Sequence, residues 1–113
     1  PYIGLCILMA TIGDAAYMRT LYTLAQQAEG AIFFLIGNYP LWPLLYHADI
    51  FIRPTYSDGD SVSVREALWS GMPVIASNVC TRPEGVITYD PLQPDALRSA
   101  LSRRWLNHKF IQK

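Results

Sequence analysis

Charge is scarce and evenly split in this 113-residue chain: nine Lys and Arg against nine Asp and Glu leave no net charge, and charged residues make up only 16%. A nucleic-acid-binding surface, which needs a net positive field, is therefore not expected. Cysteine is nearly absent. Cys6 lies in an apolar run and Cys80 in a loop, with no second cysteine near either. That spacing gives neither a metal site nor a disulfide framework, so a reducing, cytoplasmic compartment is the expectation. His47 and His108 have no metal partners at useful spacing and are read as structural or solvent-facing. The longest apolar runs, 3–10 and 31–36, fall far short of the roughly 20 residues needed to cross a bilayer. There is no internal repeat, low-complexity tract or linker. The chain opens on Pro1 without a signal-like segment and is expected to be part of a longer protein.

What the chain does have is apolar residues, 51% of the total, in short continuous runs separated by helical patterns. Residues 3–9, 31–36, 49–52, 73–76 and 86–89 read as strands without polar alternation, as in a parallel sheet buried on both faces. Asp14 is placed to cap a helix in which Met18, Leu21, Tyr22, Ala25 and Ala28 recur on one side, with Gly30 as its stop. Residues 41–47 suggest one or two helical turns. A helix over 63–70 ends at Gly71, and Pro94 opens a last helix over 95–105 with Leu97, Ala100, Leu101 and Trp105 on one face. Trp42, Tyr46 and Phe51 are read as core or domain-interface residues. Strands alternating with helices predict a single α/β domain: one parallel sheet with helices on both faces. Ligands of such sheets bind outside the carboxyl ends of the strands, which singles out the loops at 10–15, 37–41, 53–62 and 77–85.

The chemistry concentrates in residues 48–76, ADIFIRPTYSDGDSVSVREALWSGMPVIA. A strand ends in a polar loop containing Gly59, which delivers the chain to a helix whose first turn holds Ser61, Val62 and Ser63. The first amides of a helix lack internal partners and carry partial positive charge, so small residues there suit a diphosphate. Glu66, one turn in, is placed to accept hydrogen bonds from a ribose diol. Ser63-x-x-Glu66 also has the form of a capping box, and Asp58-Gly59 that of a common turn pair.

This arrangement resembles the signature of the family 4 (group 1) retaining glycosyltransferases of GT-B fold. The matching residues are Ala48-Asp49-Ile50-Phe51-Ile52 with Pro54-Thr55, then Asp58-x7-Glu66, Glu66-Ala67-Leu68, Gly71, and Pro73-Val74-Ile75-Ala76-Ser77. Arg82-Pro83-Glu84-Gly85-Val86 falls where that family has a loop near the donor. The resemblance implies the C-terminal, Rossmann-like half of a two-domain enzyme, binding a nucleotide-diphosphate-sugar donor with no metal or other cofactor. It implies Asp58 as the catalytic acid approaching the donor sugar, the Ser61, Val62 and Ser63 amides with Gly59 at the diphosphate, and Glu66 at the ribose. The acceptor site and an N-terminal Rossmann half would lie elsewhere, leaving this stretch inactive alone.

Three departures from the family pattern stand out. The first acid is Asp58 where Glu is usual. The loop at 10–15 lacks the cations that commonly face the diphosphate, leaving neutralisation to Arg53, to Arg82, to the other half of the enzyme, or to none. The segment from Gly37 to Ala48 is shorter than the family's connection by a helix and a strand, so a break in the chain is expected between Gly37 and Leu44. Half of a nucleotide-sugar epimerase and a non-catalytic nucleotide-binding or scaffolding domain are the alternative readings. Five basic residues near the C-terminus (Arg98, Arg103, Arg104, Lys109 and Lys113) suit a helix end, with peripheral contact to an anionic membrane at the inner face as the second reading.

Overall fold

A computed structural model describes residues 4–9 and 13–111, with side chains as far as 104. Ile3, residues 10–12 of the first loop and Lys113 lie outside the described residues, as do the side chains of Trp105, His108 and Lys109. The chain divides into two compact units, Pro1–Pro40 and Leu41–Lys113.

The first unit is a strand–helix–strand. β1 (Leu5–Met9) and β2 (Ile32–Ile36) pair in parallel, in register from Leu5 opposite Ile32 to Met9 opposite Ile36. Between them runs α1 (Ala15–Gln27). Its N-terminus is fixed as expected: the Asp14 carboxylate accepts from the amides of Ala16 at 2.9 Å and Tyr17 at 3.1 Å. The helix leaves through Glu29 and Gly30, both at positive φ (52° and 85°). Only the second of these is a residue that adopts that conformation without steric cost. Met18 and Ala25 are buried, and the Tyr22 ring meets Phe34 of β2 edge-on at 4.8 Å.

The second unit holds α2 (Trp42–Leu45), β3 (Phe51–Arg53), α3 (Val62–Trp69), β4 (Val74–Ser77), β5 (Ile87–Tyr89) and α4 (Ala96–Ile111). The strands are parallel in the order β3-β4-β5. All four residues of central β4 are buried, which explains why that strand is apolar without alternation. The core gathers Leu45, Val64, Ala67 and Val74, with Phe51, Leu68, Met72 and Val86 packed against it. α3 packs on β3 and β4, and α4 on β5. Gly71 stops α3 in a Schellman motif: its φ is 82°, its amide donates to the Leu68 carbonyl, and the Met72 amide donates to the Ala67 carbonyl.

The expected strands and helices are present within a residue or two of their anticipated bounds, except that α4 continues to Ile111 where an end at 105 was expected, and the α/β class with parallel strands stands. Four expectations are corrected. The strands form a two-stranded and a three-stranded sheet rather than one continuous sheet. β3 is extended over only three residues, all in register with β4, and Pro54, which has no amide to donate, follows directly. The expected break between Gly37 and Leu44 is absent. The chain is continuous there, with the Tyr39 amide donating to the Gly37 carbonyl and the Leu44 amide to Leu41, both at 3.0 Å. The boundary between the units falls inside this shortened connection. Finally, Trp42 and Tyr46 are not core residues. Both are exposed and lie edge-to-face on each other at 5.6 Å, because the four-residue α2 turns only Leu45 fully inward. Phe51 does pack on the core.

Candidate functional site

The carboxyl edge of the three-stranded sheet is formed by the last residues of its strands: Arg53, Ser77 and Tyr89. Parallel strands deliver their following loops to this edge, so 54–61 and 78–86 emerge side by side. A buried ionic cluster joins them. The Asp58 carboxylate accepts two bonds from Arg53, Nε to Oδ2 and NH2 to Oδ1, each 3.0 Å, and a third from Arg82 NH1 to Oδ2 at 2.9 Å. The Asp58 side chain is 7% exposed, that of Arg82 2% and that of Arg53 37%. A fork-to-fork pair of this kind fixes orientation as well as charge. The Arg53 guanidinium, followed by Arg82, holds the Asp58 carboxyl far below the usual carboxylate range, outweighing the opposing effect of burial. The bond to Asp58 likewise pushes Arg53 up.

Arg82 is braced on its other sides. Its Nε donates to the Ser77 carbonyl at 2.9 Å and its NH2 to the Ser77 hydroxyl at 3.2 Å; that hydroxyl also shares a 3.2 Å bond with Thr55. Ser77 is completely buried. A buried hydroxyl without partners would be costly, and here Arg82 and Thr55 satisfy it. The Cys80 thiol donates to the Gly59 carbonyl at 3.3 Å, a second tie between the two loops.

Four residues beyond Asp58, α3 begins. Ser61 is its N-cap, with its hydroxyl accepting from the Val64 amide at 3.3 Å and sharing a 2.9 Å bond with the Ser63 hydroxyl. The amides of Val62 and Ser63 have no partner among the described residues. Asp60 pairs with Arg65 at 2.8 Å on the surface. Glu66 is exposed, and its carboxylate bonds no described residue. The capping-box alternative is thereby excluded: the helix starts at Val62, so Ser63 is already inside it and too far along to act as the cap that Glu66 would answer.

The structure thus brings Arg53, Asp58 and Arg82 together and places Gly59, Ser61, Val62, Ser63 and Glu66 on the adjoining loop and helix start. Asp58 accepts through both carboxylate oxygens, one bond at Oδ1 and two at Oδ2, all from the cluster's guanidinium groups. Arg82 has all three nitrogens bonded to protein and is enclosed, so it braces the two loops. Sequence reasoning gave no role to Ser77 or Thr55. The available signal was a small polar residue ending an otherwise apolar, buried strand. Among the described residues no group of His, Cys, Asp or Glu side chains is arranged to hold a metal ion, both cysteines are free thiols, and no helix is long and apolar enough to span a membrane.

The sequence profile of the family described as "Glycosyl transferases group 1" matches residues 7–107, nearly the whole chain. The chain belongs to the group 1 glycosyltransferases. No curated protein matches it. Among solved structures, this group 1 domain is similar to sucrose-phosphate synthase (tll1590) from Thermosynechococcus elongatus, with a TM-score of 0.74 and 23% identity. The match covers 92% of this chain and 29% of the synthase. At that identity the likeness establishes a shared fold, a Rossmann-like portion of a GT-B architecture, and the chain spans less than a third of its structural relative.

Proposed function

We propose that this chain is the donor-binding half of a retaining glycosyltransferase that takes its sugar from a nucleoside diphosphate sugar. The observation that carries the reading is the start of α3: two unpartnered amides, Val62 and Ser63, follow a loop whose Asp58 binds the guanidinium groups of Arg53 and Arg82, with the free carboxylate of Glu66 one turn on. The amides and the exposed side of Arg53 would receive the diphosphate. Glu66 would accept the two ribose hydroxyls. Positive charge comes from backbone and guanidinium, so the reading assigns no metal. An N-terminal Rossmann half, as the other lobe, would supply the acceptor site.

Glu66→Gln tests this directly. Charge-assisted hydrogen bonds contribute roughly 1.5–3 kcal/mol each, and 1.4 kcal/mol is a decade in affinity. Titration calorimetry of the 113-residue chain with nucleoside diphosphate should show affinity falling about tenfold or more, while inorganic pyrophosphate, which has no ribose, binds unchanged. Equal nucleotide affinity in the parent and in Glu66→Gln would overturn the ribose assignment.

A further inference from the structure

We infer that Asp58 is an internal counter-ion for Arg53, and that it lowers the affinity of this edge for the donor's diphosphate by occupying the guanidinium fork a phosphate would otherwise take. The inference rests on the donor-binding reading above and assigns Asp58 a task different from contact with the sugar.

The geometry is that of an occupied anion site. Arg53 meets Asp58 through Nε and NH2 together, the planar two-point contact that guanidinium makes equally with carboxylate and with phosphate. Arg82, enclosed and fully bonded, is not free to turn elsewhere; it holds the second lone pair of Oδ2 and ties that oxygen to the end of β4 through Ser77. Of the cluster's two cations only Arg53 is partly open to solvent. An incoming anion therefore meets Arg53 with its fork filled, in a cluster that carries two positive charges and one negative. The unpartnered amides of Val62 and Ser63 come four and five residues after Asp58 in the chain, at the start of α3. Two consequences follow. The diphosphate must either share Arg53 with Asp58 or displace it. Every change in the cluster's charge must move diphosphate affinity in a defined direction, independently of any contact to base, ribose or sugar.

The test is a charge series in the full chain, titrated by calorimetry with nucleoside diphosphate and separately with inorganic pyrophosphate. Asp58→Asn takes the cluster from one net positive charge to two, and Arg53→Gln takes it to zero. A unit charge a few ångströms away alters affinity by about fivefold in bulk water, and by more where water is partly excluded. Asp58→Asn should therefore bind both ligands about fivefold more tightly, and Arg53→Gln about fivefold more weakly, with nucleoside lacking phosphate indifferent to both changes. Should Asp58→Asn fail to fold because Arg82 is left with excess buried charge, the double variant Arg53→Gln/Asp58→Asn relieves that excess. It should then bind more tightly than Arg53→Gln alone. A purely structural role for Asp58 gives the opposite sign, with Asp58→Asn weakening both ligands, and overturns the inference. So does affinity that ignores the series. In either case the donor reading survives if the parent binds nucleoside diphosphate and Glu66→Gln weakens it. Failure of the parent to bind nucleoside diphosphate removes the donor reading and this inference with it.

Discussion

The two units of the chain are made from the same sequence material, apolar strands and one-sided helices, yet they bury it very differently. Among the described residues of Pro1–Pro40 only Met18 and Ala25 are buried, and strand and helix residues as apolar as Phe33, Leu5 and Leu24 remain substantially exposed. In Leu41–Lys113 a central strand is buried at every position and a contiguous core surrounds it. The difference is one of layers. A two-stranded sheet with one helix covers one face, whereas β4 has a strand on each side and α3 packed over it. An apolar run in the sequence therefore announces a strand, but not whether its two faces will find cover.

That comparison can be broken most forcefully at Ile75, which is completely buried in the middle strand. Ile75→Ala should cost about 2–5 kcal/mol, measured by urea unfolding. A loss below 1 kcal/mol would show that the second unit's core is far looser than its burial indicates. Next in size is acid sensitivity of the second unit. Because the Asp58 carboxyl is held below the usual carboxylate range in the folded state, its contribution is fully present above the unfolded value, near pH 4. That contribution drains away as pH falls further toward the folded value. Stability measured from pH 6 to pH 2 should decline in the parent and decline less in Asp58→Asn; parallel curves would remove the ion cluster as its cause. In the first unit, Asp14→Ala removes a cap serving two amides and should cost about 1 kcal/mol. Hydrogen exchange should locate that loss in the opening turn of α1. Smallest of all, Phe33→Thr replaces a residue that is 52% exposed on a strand by another strand-forming residue. It should shift stability by no more than about 0.5 kcal/mol. A large penalty would mean that something covers Phe33.

The local features were legible in the sequence because their causes are local. Asp14 caps and Gly71 stops a helix through neighbours within a few positions, and each acts as its spacing indicated. The carboxyl-edge loops were legible too, since parallel strands order them. What could not be read was whatever depends on partners distant in the chain. Asp58 looked like a free acid because nothing near it in sequence reveals that Arg82, 24 residues on, closes over it. Ser77 reads in the sequence as the opening of the 77–85 loop, whereas it is the buried end of β4 on which Arg82 and Thr55 converge. The start of α3 was ambiguous for another reason: Ser61 and Ser63 are both able caps, and only the backbone turn at Ser61 decides between them.

The triplet of Arg53, Asp58 and Arg82 also has a bearing on how this protein varies over time. Loss of Asp58 alone strands two like charges beside each other, one of them enclosed, and loss of Arg82 alone takes the Nε donor from the Ser77 carbonyl and leaves the Ser77 hydroxyl to Thr55. Neither position is free to drift by itself, and a lysine cannot reproduce the two-point fork at Arg53. Positions 53, 58 and 82 should accordingly be inherited as a block, changing together across homologues or not at all. The exposed Asp60 and Arg65 pair, whose loss costs little, should wander one residue at a time.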